Sequence, residues 1–325
     1  MIQFPPLNLG SKDEIAKRIS SPNFSQQQAL LLLSDVIKNF DSYWYDSKRS
    51  EPEKGKFVRS AAKSTQLQKV LKSVNERILA PHDFRVPDFI FGGVSKRNNI
   101  QAVRRLLGGR ERVLLKLDIK SFFEQISEKR VFYFFYKHCG CSVETATILS
   151  KLCCVPKGAK GSESKERVLA RGFATSSRLA VWCNVKTFQH LVWKVGKRLR
   201  GHKPKIAIYI DDIGITASRI PKEKMEEIKK LAIQVLEYKD LNQPLPVHSG
   251  AGKTKITTLK EGAEHLGIKL GRTKLSLGAK PRSRFDRVKA LANSTHQSSQ
   301  DVDAKRRYKS YRIYKRQVEA TPNKT

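Results

Sequence analysis

Acidic residues are scarce in this 325-residue chain: 30 Asp+Glu stand against 64 Lys+Arg, a formal charge of +34. An imbalance that large exceeds what solubility asks of a surface. It points to a polyanionic partner, from whose phosphates Lys and Arg displace counterions. Long hydrophobic runs are missing as well. None approaches the ~20 residues of a membrane span, and the start, MIQFPPLNLGSKDE, lacks the basic-then-apolar layout of a signal peptide. Cysteine is sparse: Cys139, Cys141, Cys153, Cys154 and Cys183 are odd in number and have no framework spacing. With His138 they match no common zinc pattern, so the expectation is buried thiols in a reducing cytoplasm. No internal repeat is present. The 39% of hydrophobic residues suffices for a real core in one large domain or two or three subdomains.

Apolar periodicity predicts several elements. Leu67, Val70, Leu71, Val74, Ile78 and Leu79 form the stripe of a helix facing a core. A loop from Pro81 to Asn99 follows. Val113, Leu115 and Leu117 then alternate with Leu114, Lys116 and Asp118, a strand ending at an acid. Ser127–Lys151 reads as mostly helical, Lys157–Glu166 as a polar loop, and residues 175–200 as helix. A further helix is expected from about Lys222 to Tyr238, short strands at Lys255–Leu259 and Glu264–Leu270, and a basic helical tail beyond Ala279, interrupted by the polar run Ser294–Gln300.

The stretch IAIYIDDIGITAS (206–218) poses the chemical question. Ile206 and Ile208 precede two adjacent aspartates and Ile213 and Ile215 follow them, a strand–turn–strand pattern. Unpaired buried carboxylates cost several kcal/mol, and neighbours raise each other's pKa. A surface turn is the plain explanation for two adjacent acids. Against it stand the apolar strands on both sides and a third acid, Asp118, closing a similar strand. If the two segments are antiparallel neighbours, Asp118, Asp211 and Asp212 converge into a hard-oxygen site suited to Mg²⁺. Two such ions about 3.5–4 Å apart clamp the oxygens of an in-line phosphoryl displacement.

These residues resemble a known family. Tyr209-Ile210-Asp211-Asp212 is similar to the Y-x-D-D motif of reverse transcriptases, and LDIKSFFEQI (Leu117–Ile126) to their first palm motif. CCVPKG followed by LARGFATSSRL (Leu169–Leu179) resembles LPQGAPTSPxL, and GKTKI (Gly252–Ile256) and HLGIKLG (His265–Gly271) resemble later palm motifs. The match runs in order over roughly residues 50–280 and is most like bacterial enzymes of the retron, group II intron and phage-defence type. Departures mark the chain as divergent. Ala170-Arg171-Gly172 stands for Pro-Gln-Gly, and the Pro after Thr-Ser is replaced in Ser177-Arg178. Gln101-Ala102-Val103-Arg104-Arg105 and His265-Leu266-Gly267 replace two signatures of retron enzymes.

The resemblance implies an α+β right-hand polymerase: an N-terminal helical extension (1–49), fingers (50–110), an antiparallel-sheet palm (111–275) and a short basic helical thumb (276–325). It implies catalytic, metal-binding roles for Asp118, Asp211 and Asp212, with two Mg²⁺ ions or Mn²⁺ in their place. It makes Phe123 the aromatic gate against a ribose 2′-OH, with core packing as the other reading. Arg171, Gly172, Tyr209 and Lys253 (or Lys255) fall at substrate-contacting positions. The implied reaction is RNA-templated DNA synthesis from dNTPs, in the cytoplasm and away from membranes, with a non-coding template or primer RNA, a DNA product and a protein partner or second copy as partners. A role in anti-phage defence goes with it. Rival readings keep the site but drop ordinary templating, a reading that Arg171 favours, or drop catalysis for a nucleic-acid-binding scaffold; an RNA-directed RNA polymerase is disfavoured by Phe123. In the tail, Lys305, Arg306, Arg307, Tyr308, Lys309 and Tyr311 interleave bases with tyrosines at a spacing of three. That pattern suits nucleic acid; the other use of the tyrosine stripe, with Tyr314, is to dock the tail with the bases outside.

Overall fold

A computed structural model describes residues 2–61, 65–250, 252–293 and 299–320. Along the chain the helices are α1 (Lys12–Ile19), α2 (Gln26–Lys38), α3 (Gln66–Ser73), α4 (Asn99–Arg105), α5 (Glu128–Tyr133), α6 (Val143–Cys153), α7 (Ser176–Arg198), α8 (Lys222–Tyr238), α9 (Ala279–Ala292) and α10 (Ser299–Glu319). The strands are β1 (Trp44–Asp46), β2 (Arg59–Ala61), β3 (Arg112–Asp118), β4 (Cys154–Pro156), β5 (Arg167–Leu169), β6 (Lys205–Tyr209), β7 (Asp212–Ser218), β8 (Lys255–Thr258), β9 (Glu264–His265), β10 (Ile268–Leu270) and β11 (Leu275–Leu277). The fold is mixed α+β, and every strand pairing is antiparallel among the described residues.

Two compact units interleave in sequence. The first comprises Met1–Arg97, Ile119–Leu191 and Val235–Pro246; the second comprises Asn98–Asp118, Val192–Gln234 and Val247–Thr325. In the first unit, Leu67, Val70 and Leu71 of α3 are buried, and a π-helical turn over Val74–Leu79 carries the same stripe on through Ile78 and Leu79. The aromatic segment expected to be helical divides into α5 and α6 at Cys139–Ser142, where Ser142 caps α6 by accepting from Thr145 N. Lys157–Glu166 links the two-stranded β4–β5 ribbon as a loop. Cys139, Cys141, Cys153 and Cys154 are buried and Cys183 half-buried, all as free thiols. Burial pushes Cys153 and Cys183 up to about 12, so they stay protonated and inert at neutral pH.

The second unit is built on a four-stranded sheet of order β6-β7-β3-β8. The period of two sorts its faces. Leu115 and Leu117 of β3 lie opposite Ile215 and Ile213 of β7, all buried, while Lys116 and Asp118 turn to the other face opposite Gly214 and Asp212. A side group at Gly214 would lie 2.6 Å from Leu106 Cδ1 and 3.0 Å from His265 Nε2, so the strand needs a bare backbone there. The expected strand Glu264–Leu270 is in fact two, β9 and β10, folded on each other at Leu266-Gly267 within a β11-β10-β9 sheet. Beyond it, α9 and α10 pack together, with Phe285 and Tyr308 ring centroids 5.6 Å apart. Residues 294–298 of the expected polar interruption lie outside the described residues; Ser299 and Gln300 open α10. No helix among the described residues is long and apolar enough to cross a membrane.

His265 is fully buried, and neither ring nitrogen has a hydrogen-bond partner among the described residues. Burial, with Lys116 adding to it, lowers its pKa from 6.5 to about 3. The folded chain therefore resists a proton that the unfolded chain accepts. This contribution to stability is complete above about pH 6.5 and is lost as pH falls from there toward about 3. Urea unfolding at pH 7 and pH 5 should show wild type losing about 2 kcal/mol more than His265→Leu over that interval. Equal losses would mean that the ring is protonated in the folded chain.

Candidate functional site

The acids of the second unit meet because of strand register. Asp118, the last residue of β3, lies directly opposite Asp212, the first of β7, and Tyr209 ends β6 opposite the same Asp212. Between Tyr209 and Asp212, Ile210 adopts φ +61°, a left-handed conformation that a β-branched side chain resists. Such a residue costs on the order of 1–3 kcal/mol and persists only where its surroundings impose it. Here the tight turn keeps Asp211 and Asp212 at the end of the hairpin, as the alternation of isoleucines predicts.

Asp118 is 8% exposed. Lys253 Nζ donates to its Oδ1 at 3.1 Å, and His248 Nε2 lies 3.5 Å from its Oδ2. The His248 backbone N–H also donates to the Asp118 carbonyl at 2.9 Å, which ties the 247–253 segment to the strand end. Asp212 has the opposite surroundings. Burial, then the charges of Asp211 and Asp118, push its carboxyl up from 3.8 to about 7, against the weaker pull of Lys116 and Lys253. Among the described residues no three His, Cys, Asp or Glu side chains are gathered closely enough to hold a metal ion as they stand. The donor chemistry nevertheless fits a hard divalent cation: three carboxylates at one sheet end, one of them pushed up by burial and by the charges of the others, which a cation would offset.

In the first unit, Phe122 is fully buried and Phe123 8% exposed, packed edge-to-face at 5.9 Å. Arg171 grips Glu124 with both arms of its fork, Nε to Oε1 at 3.1 Å and Nη2 to Oε2 at 2.9 Å. Its guanidinium carbon lies 5.0 Å from the Phe123 ring centroid. The Arg171 carbonyl accepts from Arg59 N at 2.6 Å. Next along, Gly172 has φ +106°, and a side group there would lie 2.4 Å from the Arg59 carbonyl, so only glycine fits. Arg178 binds the Asp83 carboxylate at 2.8 and 2.9 Å and Ser95 Oγ at 3.1 Å, all in the interior. Burial raises the Asp83 carboxyl, but hydrogen bonds from Arg178 and Ser95 outweigh it and leave it lowered.

In the tail, Tyr308, Tyr311 and Tyr314 are half-buried, whereas Lys305, Arg306, Arg307 and Lys309 are exposed. Tyr308 packs on Phe285, and the Tyr314 hydroxyl accepts from Asn99 Nδ2 at 2.8 Å. Arg104, within the run that replaces a retron signature, donates to the Gln317 and Ala320 carbonyls at 2.5 and 3.0 Å. Two tyrosines thus engage the protein and the bases face outward.

The structure gathers Asp118, Asp211, Asp212, Tyr209 and Lys253 in one unit and Phe123, Arg171 and Gly172 in the other. His248, Lys116 and Glu124 join them without having been singled out from sequence. Only Lys116 carries a legible signal, two residues before Asp118 and so on the same face of β3. No protein-family model matches the chain, and no curated protein is similar to it at a significant level.

The Glu124–Arg171 pair is largely shielded from water. Arg171→Gln strands the carboxylate and should lower stability in urea unfolding by about 2 kcal/mol, with most of that regained in Arg171→Gln/Glu124→Gln. A double variant no more stable than the single one would show that the pair is not coupled.

Proposed function

We propose that the chain is a reverse-transcriptase-type polymerase that makes DNA on an RNA template, a divergent relative of the retron, group II intron and phage-defence enzymes. On this reading the antiparallel sheet of the second unit is the core of a polymerase palm, and the α9–α10 pair belongs to a basic thumb. The observation that carries it is the register of Asp118 opposite Asp212, with Asp211 beside it on a strained turn. A surface turn has no use for a third, buried acid, and a binding scaffold has no use for three mutually repelling ones. The guanidinium of Arg171, the feature favouring template-independent synthesis, is engaged by Glu124. Templated synthesis is therefore the preferred reading.

Asp118, Asp211 and Asp212 would hold Mg²⁺, which when bound neutralises charge on the triphosphate and on the attacking 3′-oxygen. The strand register sets where those carboxylates stand before substrate arrives, and positioning supplies much of the rate in phosphoryl transfer. Lys253, on Asp118, balances carboxylate charge and is placed to give a proton to departing pyrophosphate. Phe123, buried with Arg171 over its ring, is the residue that the resemblance makes the gate against a ribose 2′-OH. The outward bases of α10 neutralise nucleic-acid phosphates.

Asp211→Asn and Asp212→Asn should each abolish dNTP incorporation while leaving RNA binding and thermal unfolding near wild type. Loss of the charge clamp is worth several kcal/mol in the transition state. Full incorporation by both variants, measured by primer extension, would overturn the polymerase reading. Neutralising Lys305, Arg306, Arg307 and Lys309 to Gln should flatten the fall of log K with log[salt] for RNA binding, by as much as about 3 in slope if all four meet phosphates. An unchanged slope would move the binding surface off α10.

A further inference from the structure

A cavity of about 680 Å³ in the first unit plays no part in the chemistry above. Three elements contribute lysines to its lining: Lys129 from α5, Lys186 from α7 and Lys239 just beyond α8. All three are exposed, and among the described residues none has a carboxylate partner. Asp240 is the one acid in the lining, and it is taken by Arg130, which also donates to the Cys183 carbonyl at 2.8 Å. The lining therefore carries a net positive charge that nothing within it neutralises. His138 at its edge registers that field, its pKa lowered by burial and then by Lys186 and Arg130.

The walls are aromatic as well as basic. Phe4 stacks on His138 with centroids 4.2 Å apart and planes 12° from parallel, and Lys186 Nζ lies 5.3 Å from the Phe4 ring. Tyr133 is 43% exposed, with Lys129 Nζ 6.0 Å from its ring centroid.

Lysines from separate elements select an anion. A partly exposed aromatic ring beside them suits a planar ring attached to that anion. The volume lies within the range of small-molecule sites. We propose that this cavity binds a nucleoside phosphate, with the phosphate on Lys129, Lys186 and Lys239 and the base against Tyr133. The occupant is either a free nucleotide or the 5′-phosphorylated end of a strand, which share this chemistry. The proposal is independent of the polymerase reading, because the site needs neither the carboxylates nor divalent metal.

Full-length protein, freed of nucleic acid in high salt and held in EDTA, would be titrated calorimetrically with AMP, adenosine and inorganic phosphate. AMP should bind, and adenosine and phosphate should each bind about tenfold or more weakly. Lys186→Ala/Lys239→Ala and, separately, Tyr133→Ala should weaken AMP by about tenfold while Asp212→Asn leaves it unchanged. Competition with a 5′-phosphorylated hexanucleotide separates the sources: displacement of AMP that is lost in the lysine variant identifies a strand end, and its absence a free nucleotide. AMP failing to bind at millimolar concentration would overturn the proposal. So would phosphate matching AMP, or wild-type affinity in both cavity variants. A circular dichroism melt of each variant guards against misfolding, and Tyr133→Phe, which keeps the ring, should restore binding.

Discussion

Two carboxylates facing each other across a pair of hydrogen-bonded strands set the terms for the second unit. The same register that buries Leu115 and Leu117 against Ile215 and Ile213 leaves Asp118 no position except opposite Asp212. A slip of one residue would separate the acids, but it would also turn the whole apolar row of β3 toward the polar face. Packing of the core and placement of the charges are thus one constraint. The burial and repulsion that push the Asp212 carboxyl up to about 7 are tolerated because the hydrophobic face holds the strands in place. Lys253 donates to Asp118 and also pulls on Asp212, more weakly than burial pushes it.

A different economy of charge operates in the first unit. Arginine stands at 171, where the resembled family has glutamine, and at 178, the variable position of the same motif, and each has its own internal carboxylate: Arg171 has Glu124, and Arg178 has Asp83. Breaking such pairs is costly because the remaining partner keeps its desolvation penalty. In a chain of charge +34 these are arginines fixed for shape, distinct from the solvated bases of α10. Net charge alone cannot separate the two kinds; burial and partner do.

Local periodicity made much of this readable. The isoleucines around Asp211-Asp212 foretell a hairpin, the alternation ending at Asp118 foretells its neighbour, and α8 falls on Lys222–Tyr238 as its apolar spacing predicts. What escaped was held by long-range pairing or by unusual backbone. Arg178 and Asp83 are 95 residues apart, Arg171 and Glu124 47, and no periodic pattern reports a partner at such distance. His248 reaches Asp118 through a loop whose backbone bond fixes it, leaving no trace in composition. Leu266 turns the chain at φ +52°, a conformation that leucine does not advertise, so β9 and β10 read as one strand. The tyrosines of α10 were open between stacking on bases and packing on protein, because a stripe at spacing three serves either.

Gly214 has a reach beyond its own strand. It lies two residues from Asp212, and the His265 ring of β9 rests on its bare backbone. The β9–β11 sheet leads directly into α9: Gly278 donates to the Gly267 carbonyl at 2.9 Å and then caps the helix that packs on α10. The strand that begins at Asp212 and the sheet that leads into α9 therefore meet where the His265 ring, with the Leu106 side chain beside it, is seated on the Gly214 peptide.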